Sequence, residues 1–192
     1  MSERVLIIYG SRFGHSRDVS THIAKAIHEA QPALQSTIID IDDAKGSLNG
    51  TGLSRYRAVV IAASVQYGHI DKRVERWVKK NLSYVQQIPS LLVTISLSAR
   101  KFTDDTPAPE EHTYTSKFLD HTGWHPDRIE IAAGRLEYPR YNFFDKTMIR
   151  FIMHISGGVT DRTSTIEYTN WDRLTDVAKD FVQLVENTNS EN

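Results

Sequence analysis

The chain has 192 residues, no cysteine and a net charge of −1. That is room for one sizeable core, and it excludes disulfides, thiolate catalysis, cysteine-held zinc and iron–sulfur clusters. Near-neutrality speaks against a nucleic-acid binder driven by bulk charge and against a strongly acidic electron carrier. Met1-Ser2-Glu3-Arg4 runs directly into the first apolar run, leaving no room for a signal peptide, and no apolar run reaches membrane-spanning length. The expectation at this level is a cytoplasmic α/β domain.

Val5-Leu6-Ile7-Ile8 is a continuous apolar run of strand length, as a parallel strand covered on both faces requires. It breaks into Tyr9-Gly10-Ser11-Arg12-Phe13-Gly14-His15-Ser16, after which Val19, Ile23, Ala26, Ile27 and Ala30 follow at helical spacing. A strand that ends in small and hydroxyl residues and feeds a helix offers backbone N–H groups at a positive dipole end. Such a turn is an anion site suited to a phosphate monoester. It lacks the Gly-Lys-Ser/Thr of a P-loop and the three glycines of a dinucleotide turn.

Ser36-Thr37-Ile38-Ile39-Asp40-Ile41 alternates, which predicts a second strand nearer a sheet edge, and residues 45–52 read as a loop. Ala58-Val59-Val60-Ile61-Ala62-Ala63 is a third strand. It ends in Ser64-Val65-Gln66-Tyr67-Gly68-His69, where Tyr67 and His69 are placed to flank a flat aromatic ligand. Val74, Trp77, Val78 and Val85 form a helical stripe that stops at Pro89. Residues 91–97 are a fourth strand, opening into Ser98-Ala99-Arg100-Lys101-Phe102, whose two cations suit negative charge on a reduced ring system. Residues 103–109 read as irregular. Residues 110–122 read as a helix with Tyr114, Phe118 and His121 inward or half-buried and Gly123 as its stop. Arg128-Ile129-Glu130-Ile131-Ala132-Ala133-Gly134 begins a fifth strand. The last helix spans about residues 172–187 behind an Asn170 cap, and residues 187–192 read as a frayed tail.

Strand and helix alternate five times over a single domain, 1–192, which predicts an α/β fold with one doubly wound parallel sheet. The polar and aromatic loops follow strands one, three and four. That is the flavodoxin-like arrangement, a five-stranded sheet of order 2-1-3-4-5 with its ligand at the switch between strands one and three. An insertion in the last strand, about residues 135–163, interrupts this pattern, and Thr165-Ile166-Glu167-Tyr168 reads as that strand's continuation. Within the insertion, residues 141–156 are helix-length, with Phe144, Met148, Ile149, Phe151, Ile152, Met153 and Ile155 apolar. Lys146, Arg150 and His154 recur every fourth residue along one edge. From Arg135 to His154, four Lys/Arg against two acids leave +2, so the helix either lies in a membrane interface or packs its apolar face on the domain. The eight histidines show no metal-ligand spacing, and no Ser–His–Asp set assembles.

Together Tyr9-Gly10-Ser11-Arg12-Phe13-Gly14-His15-Ser16, Ala63-Ser64-Val65-Gln66-Tyr67-Gly68-His69, Leu97-Ser98-Ala99-Arg100-Lys101, Leu136-Glu137-Tyr138-Pro139-Arg140-Tyr141 and Ser156-Gly157-Gly158 resemble one family. It is the flavodoxin-like, quinone-dependent protoporphyrinogen IX dehydrogenases of bacterial haem biosynthesis, and the resemblance covers nearly the whole chain. It implies FMN as cofactor and no metal. The phosphate would lie on Ser11, Arg12, Phe13, Gly14, His15 and Ser16. The ring would lie between Ser64, Val65, Gln66, Tyr67, Gly68 and His69 on one side and Ser96, Leu97, Ser98, Ala99, Arg100 and Lys101 on the other. It further implies three two-electron oxidations of protoporphyrinogen IX to protoporphyrin IX, with electrons passed to menaquinone or ubiquinone from a peripheral position on the cytoplasmic face of the inner membrane.

No catalytic side chain beyond the flavin is implied. Tyr138, Arg140, Tyr141, Lys146 and Arg150 of the insertion are candidates for the substrate's propionates or for anionic headgroups, and on this reading the insertion is separable from cofactor binding. Phe13 departs from the usual flavodoxin loop, where a hydroxyl residue is common. The rival readings are an NAD(P)H:quinone oxidoreductase of the same fold and a soluble electron-shuttle flavodoxin. Nucleic acid is not an expected partner, and a homo-oligomer is left open.

Overall fold

The computed structural model describes residues 4–48, 52–101, 112–141, 143–155, 157–161 and 163–190. Its main sheet contains β1 (Arg4–Gly10), β2 (Gln35–Asp40), β3 (Ala58–Gln66), a two-residue β4 (His69–Ile70), β5 (Ser90–Ser96) and β6 (Arg128–Ala133). The order across the sheet is β2-β1-β3-β5-β6, each neighbouring pair parallel, with β4 folded back antiparallel on the end of β3. With that hairpin set aside, the order is the expected 2-1-3-4-5. Val5 to Ile8 are completely buried because helices cover both faces. Alternation along the strand sends Val5 and Ile7 one way, against α1 (His15–Ala30) and the last helix, α7 (Trp171–Ser190). Leu6 and Ile8 point the other way, toward α2 (Ile41–Ser47), α3 (Lys72–Lys80), α4 (Leu82–Val85) and α5 (Thr113–Thr122). The outer strand β2 is half-buried along most of its length, which is why its pattern alternates.

Several local expectations change. Residues 41–47 form α2 rather than the end of a strand and a loop. The Asp40 carboxylate accepts from the Asp42 N–H at 2.9 Å, and Asp42 and Asp43 sit in the positively polarised first turn. Residues 49–51 of the expected loop lie outside those described. Helix α5 turns Thr115, Phe118 and Thr122 inward and leaves Tyr114 half-buried; His121, expected to be inward or half-buried, is exposed. Phe102 and residues 103–111 lie outside the described residues. Asn170 caps α7 by accepting from the Arg173 N–H at 2.9 Å, and the helix continues through Ser190, so residues 187–190 are not a frayed tail.

The insertion departs most from expectation. β7 (Arg135–Glu137) and β8 (Thr165–Glu167) pair antiparallel with each other as a separate ribbon, so residues 165–167 do not extend β6 in the main sheet. Between them lie a 3₁₀ turn, Tyr138–Arg140, and α6 (Phe143–Ile155). This unit has its own small core of Leu136, Tyr138, Tyr141 and Met153, and Phe13 and Leu97 of the main domain pack into it. The Phe13 and Tyr141 rings meet edge-on at 4.8 Å. That explains the aromatic residue in a loop where a hydroxyl is customary: Phe13 anchors the insertion.

Candidate active site

Three strand ends come into line at the sheet's switch point. Gly10 is paired with Ala63, Ser64 with Ile95, and Ser96 with Ala133. A Cβ on Gly10 would stand 2.7 Å from Val74 Cγ2 and 2.9 Å from Asp71 Oδ2, so only glycine lets α3 start this close to β1. The chain then turns through Gly14, whose φ of 92° is left-handed, and enters α1. Ser11 Oγ accepts from the Gly14 N–H at 2.9 Å and holds that turn. No side chain caps α1. Ser16 lies inside the helix with its hydroxyl buried and unpartnered among the described residues, and His15 Nδ1 is in the same condition.

The second loop is a two-residue hairpin turn. Tyr67 and Gly68 both have positive φ, 49° and 82°, as a type I′ connection demands. A left-handed tyrosine costs about 1 kcal/mol, and the turn leaves Tyr67 half exposed at the cavity mouth. The third loop is a 3₁₀ turn, Leu97–Lys101, with Ser96 and Ser98 hydroxyls 2.7 Å apart.

These loops and the insertion enclose a cavity of about 510 Å³. Ser11, Arg12, Phe13, His15, Ser16, Ser64, Val65, Gln66, Tyr67, Gly68, Ser96, Leu97 and Ser98 line it, as does Tyr141. Gly14 shapes the loop without lining the cavity. His69 lies in β4 and is exposed. Ala99 and Arg100 face a second, smaller cavity beside β6, and Lys101 is exposed. Tyr138 is wholly buried, donating its hydroxyl to Val159 O at 3.0 Å. Arg140 donates to Phe13 O at 3.2 Å and pairs with Glu137 at 3.3 Å. Lys146 is half-buried and Arg150 is exposed on α6. The cavity also gathers Ile95, Tyr114, Gly134, Arg135, Glu137, Met148 and Ile149, none singled out as a binding residue beforehand. The one available signal was charge: Arg135 and Glu137 alternate on a short strand, placing both on one face.

Arg135 is only 19% exposed and meets Asp18 at 2.9 Å, Glu137 at 3.1 Å and Glu167 at 3.8 Å. Its charge is therefore spent internally, as is that of Glu137. His15 Nε2 lies 2.9 Å from Thr169 Oγ1, and that hydroxyl donates to Ala133 O at 2.7 Å. Thr169 must then accept from His15, which puts the imidazole hydrogen on Nε2 and leaves Nδ1 an acceptor in the neutral ring. Burial lowers the His15 pKa, opposed by Glu167; burial alone lowers that of His112. A histidine depressed in the fold is protonated first in the unfolded chain. Stability without bound ligand is thus expected to be full above about pH 6.5 and to fall as the pH drops below it. In urea unfolding across that range, His15→Gln should flatten the slope; an unchanged slope would assign the effect elsewhere.

The residues present fit a phosphate-tailed planar ligand. An unpartnered serine hydroxyl and an uncapped helix start await an anion at one end. An exposed tyrosine face and apolar side chains from β5 and α6 line the remainder. Fold and site define a flavodoxin-type domain, the class of fold that holds FMN at this switch point, and the flavodoxin-domain family model matches residues 6–163. Among solved structures, flavodoxin 1 from Bacillus cereus superposes with a TM-score of 0.53 at 13% identity, covering 94% of this chain and 97% of that one. The rubredoxin oxygen:oxidoreductase of Desulfovibrio gigas also gives 0.53 at 10% identity, but this chain, 96% covered, spans only 36% of it. At such identities the likeness is one of fold.

The particular family is shown by sequence. A protoporphyrinogen IX dehydrogenase [quinone] from Leishmania major is 35% identical over 183 residues, which is 95% of this chain and 76% of the relative. That of Escherichia coli K12 is 31% identical over 183 residues, 95% of this chain and 97% of the relative. The chain belongs to this family of flavodoxin-domain, quinone-dependent protoporphyrinogen IX dehydrogenases.

Proposed function

We propose that this protein oxidises protoporphyrinogen IX to protoporphyrin IX with FMN, passing the electrons to a membrane quinone, menaquinone or ubiquinone. One observation carries the reading: the match to the dehydrogenases spans 183 of 192 residues and so takes in the insertion as well as the three loops. When bound, FMN supplies the two-electron chemistry, accepting from the tetrapyrrole and donating to the quinone.

The chain's own residues bind, orient and exclude water. Ser16 Oγ and the first turn of α1 receive the phosphate, while Ser11 keeps Gly14 in its left-handed turn. Tyr67, half exposed in the lining, would offer its face to the ring. Its phenol donates to Asp145, and that hydrogen bond, then burial, raises its pKa above the ordinary value. Ile95, Leu97, Met148 and Ile149 form the apolar wall that keeps water from the reacting face.

The insertion also supplies the contact with lipid. Phe143, Phe144 and Phe151 are 80%, 68% and 61% exposed along α6, with Arg150 exposed beside them, a pattern suited to the headgroup–acyl boundary. Among the described residues no helix is long and apolar enough to cross a membrane; the attachment in this reading is peripheral, on the cytoplasmic face of the inner membrane, as the family resemblance implies.

The test is anaerobic: FMN-loaded protein, protoporphyrinogen IX and a menaquinone analogue, followed by porphyrin fluorescence. Fluorescence should rise only when protein and quinone are both present. Flavin bleached by NADPH but not by the porphyrinogen would overturn the reading in favour of an NAD(P)H:quinone oxidoreductase.

A further inference from the structure

Asp145 is out of place on its helix. Its side chain is 1% exposed, although Phe143 and Phe144 immediately before it are 80% and 68% exposed. The buried carboxylate is held by Arg12 Nη2 at 3.0 Å and accepts the Tyr67 hydroxyl hydrogen. Both donors belong to the cavity's own loops, and both stay open on their other side: the Arg12 side chain is 40% exposed and Tyr67 50%. The Arg12 guanidinium is fixed between two rings, 5.3 Å from the centroid of Phe13 and 5.8 Å from that of Tyr67. The cavity lining contains one other guanidinium, Arg135, and three carboxylates already surround it. Arg12, by contrast, has a single acidic partner among the described residues.

We propose that Arg12 is a binding residue for a carboxylate of the substrate, and that Asp145 occupies it as an internal substitute until that carboxylate arrives. The inference rests on the functional reading above, in which the substrate is an apolar tetrapyrrole bearing two propionates. An apolar cavity accepts such an anion only against a cation, and a fixed planar guanidinium is the group that meets a carboxylate with two hydrogen bonds. Exchanging one carboxylate for another keeps Arg12 paired throughout, whereas opening the pair without a replacement would strand a charge. Asp145 therefore stays in place until a propionate takes over, and then leaves. Its departure frees the first turn of α6, which carries Phe143 and Phe144, so occupation of the cavity and the posture of the outward aromatic face are one equilibrium.

The experiment uses full-length, FMN-loaded protein and two probes in detergent micelles: protoporphyrin IX, a dicarboxylate, and its dimethyl ester. Binding is read by fluorescence. Asp145→Asn removes the competing charge at constant shape. It should tighten the diacid by roughly tenfold, the factor set by the population of the closed state it abolishes, and leave the diester unchanged. Arg12→Gln should weaken the diacid to the level of the diester, and the double variant should be no tighter than Arg12→Gln alone. Equal changes for diacid and diester, or a diacid weakened by Asp145→Asn, would overturn the proposal and leave the functional reading standing. If neither probe binds wild type or any variant, the functional reading falls and this assignment with it.

Discussion

Replacing Ser11 and Ser16 together by alanine is expected to leave the purified protein almost free of FMN. Ser16 contributes a buried hydroxyl without a partner among the described residues, so a phosphate oxygen would be its acceptor. Ser11 acts one step back, through its 2.9 Å hydrogen bond from the Gly14 N–H, which holds the turn feeding α1. A hydrogen bond to a charged group contributes about 1.5–3 kcal/mol. Losing that bond and loosening the loop should weaken FMN by on the order of 10²–10³-fold. Riboflavin, lacking the phosphate, should bind variant and wild type alike. Ser20, one helical turn beyond Ser16 and likewise buried with a hydroxyl unpartnered among the described residues, does not line the cavity. Ser20→Ala is therefore the control, expected to keep its flavin. Unchanged flavin stoichiometry in the double variant would show that the phosphate lies elsewhere.

Exchanging Phe143, Phe144 and Phe151 for serine should separate quinone-coupled turnover from flavin chemistry. Full burial of a large apolar side chain stabilises by about 1.5–3 kcal/mol. These three rings gain most of that on entering a lipid interface, because they are 80%, 68% and 61% exposed without it. Allowing roughly 1 kcal/mol each for partial insertion, the triple variant should partition to anionic vesicles on the order of 100-fold less than wild type. Turnover with quinone embedded in the vesicles should fall with it. Flavin content and turnover with a water-soluble acceptor should not, since none of the three lines the cavity. Undiminished vesicle binding would remove this face as the lipid contact.

Deletion of the whole insertion would answer neither question. Phe13 and Leu97 from two of the cofactor loops pack into the insertion's core, Arg140 holds Phe13 O, and Asp145 holds Arg12 and Tyr67. Removing it would uncover the flavin site and release the cofactor for reasons unconnected with quinone. This packing argues against the expectation that insertion and cofactor are separable, and single side chains are the proper probes.

Much of the architecture was legible because it is local. A strand covered on both faces carries few polar side chains, so the apolar runs Val5 to Ile8 and Ala58 to Ala63 announce central parallel strands. A helix needs a start, and the small and hydroxyl residues after Tyr9 mark both that start and an anion site. Asp40 with two acids behind it was a legible cap that the alternating pattern before it obscured. By contrast, nothing near Arg12 in the chain points to Asp145, which lies beyond two intervening strand loops and the insertion's turn. Asp145 reads along the sequence as one acid tempering a basic helix, and Phe13 as an exception to a loop pattern. Both become intelligible when the β7–β8 ribbon folds the insertion back over the cavity.

The sequence by itself determined the strands, the helix that follows the first of them and the three polar loops at strand ends, because each follows from which side chains water will tolerate. The sheet order came with the flavodoxin-like placing of those loops. Only the tertiary structure decided which cations reach the cavity: of the predicted ones Arg12 does, while Arg140, Arg100 and Lys101 do not, and Arg135, not singled out in the sequence, joins it. The reason is physical. Burial acts on every residue where it stands and leaves its period in the chain, whereas an ion pair between distant loops depends on how two units dock and leaves no periodic trace.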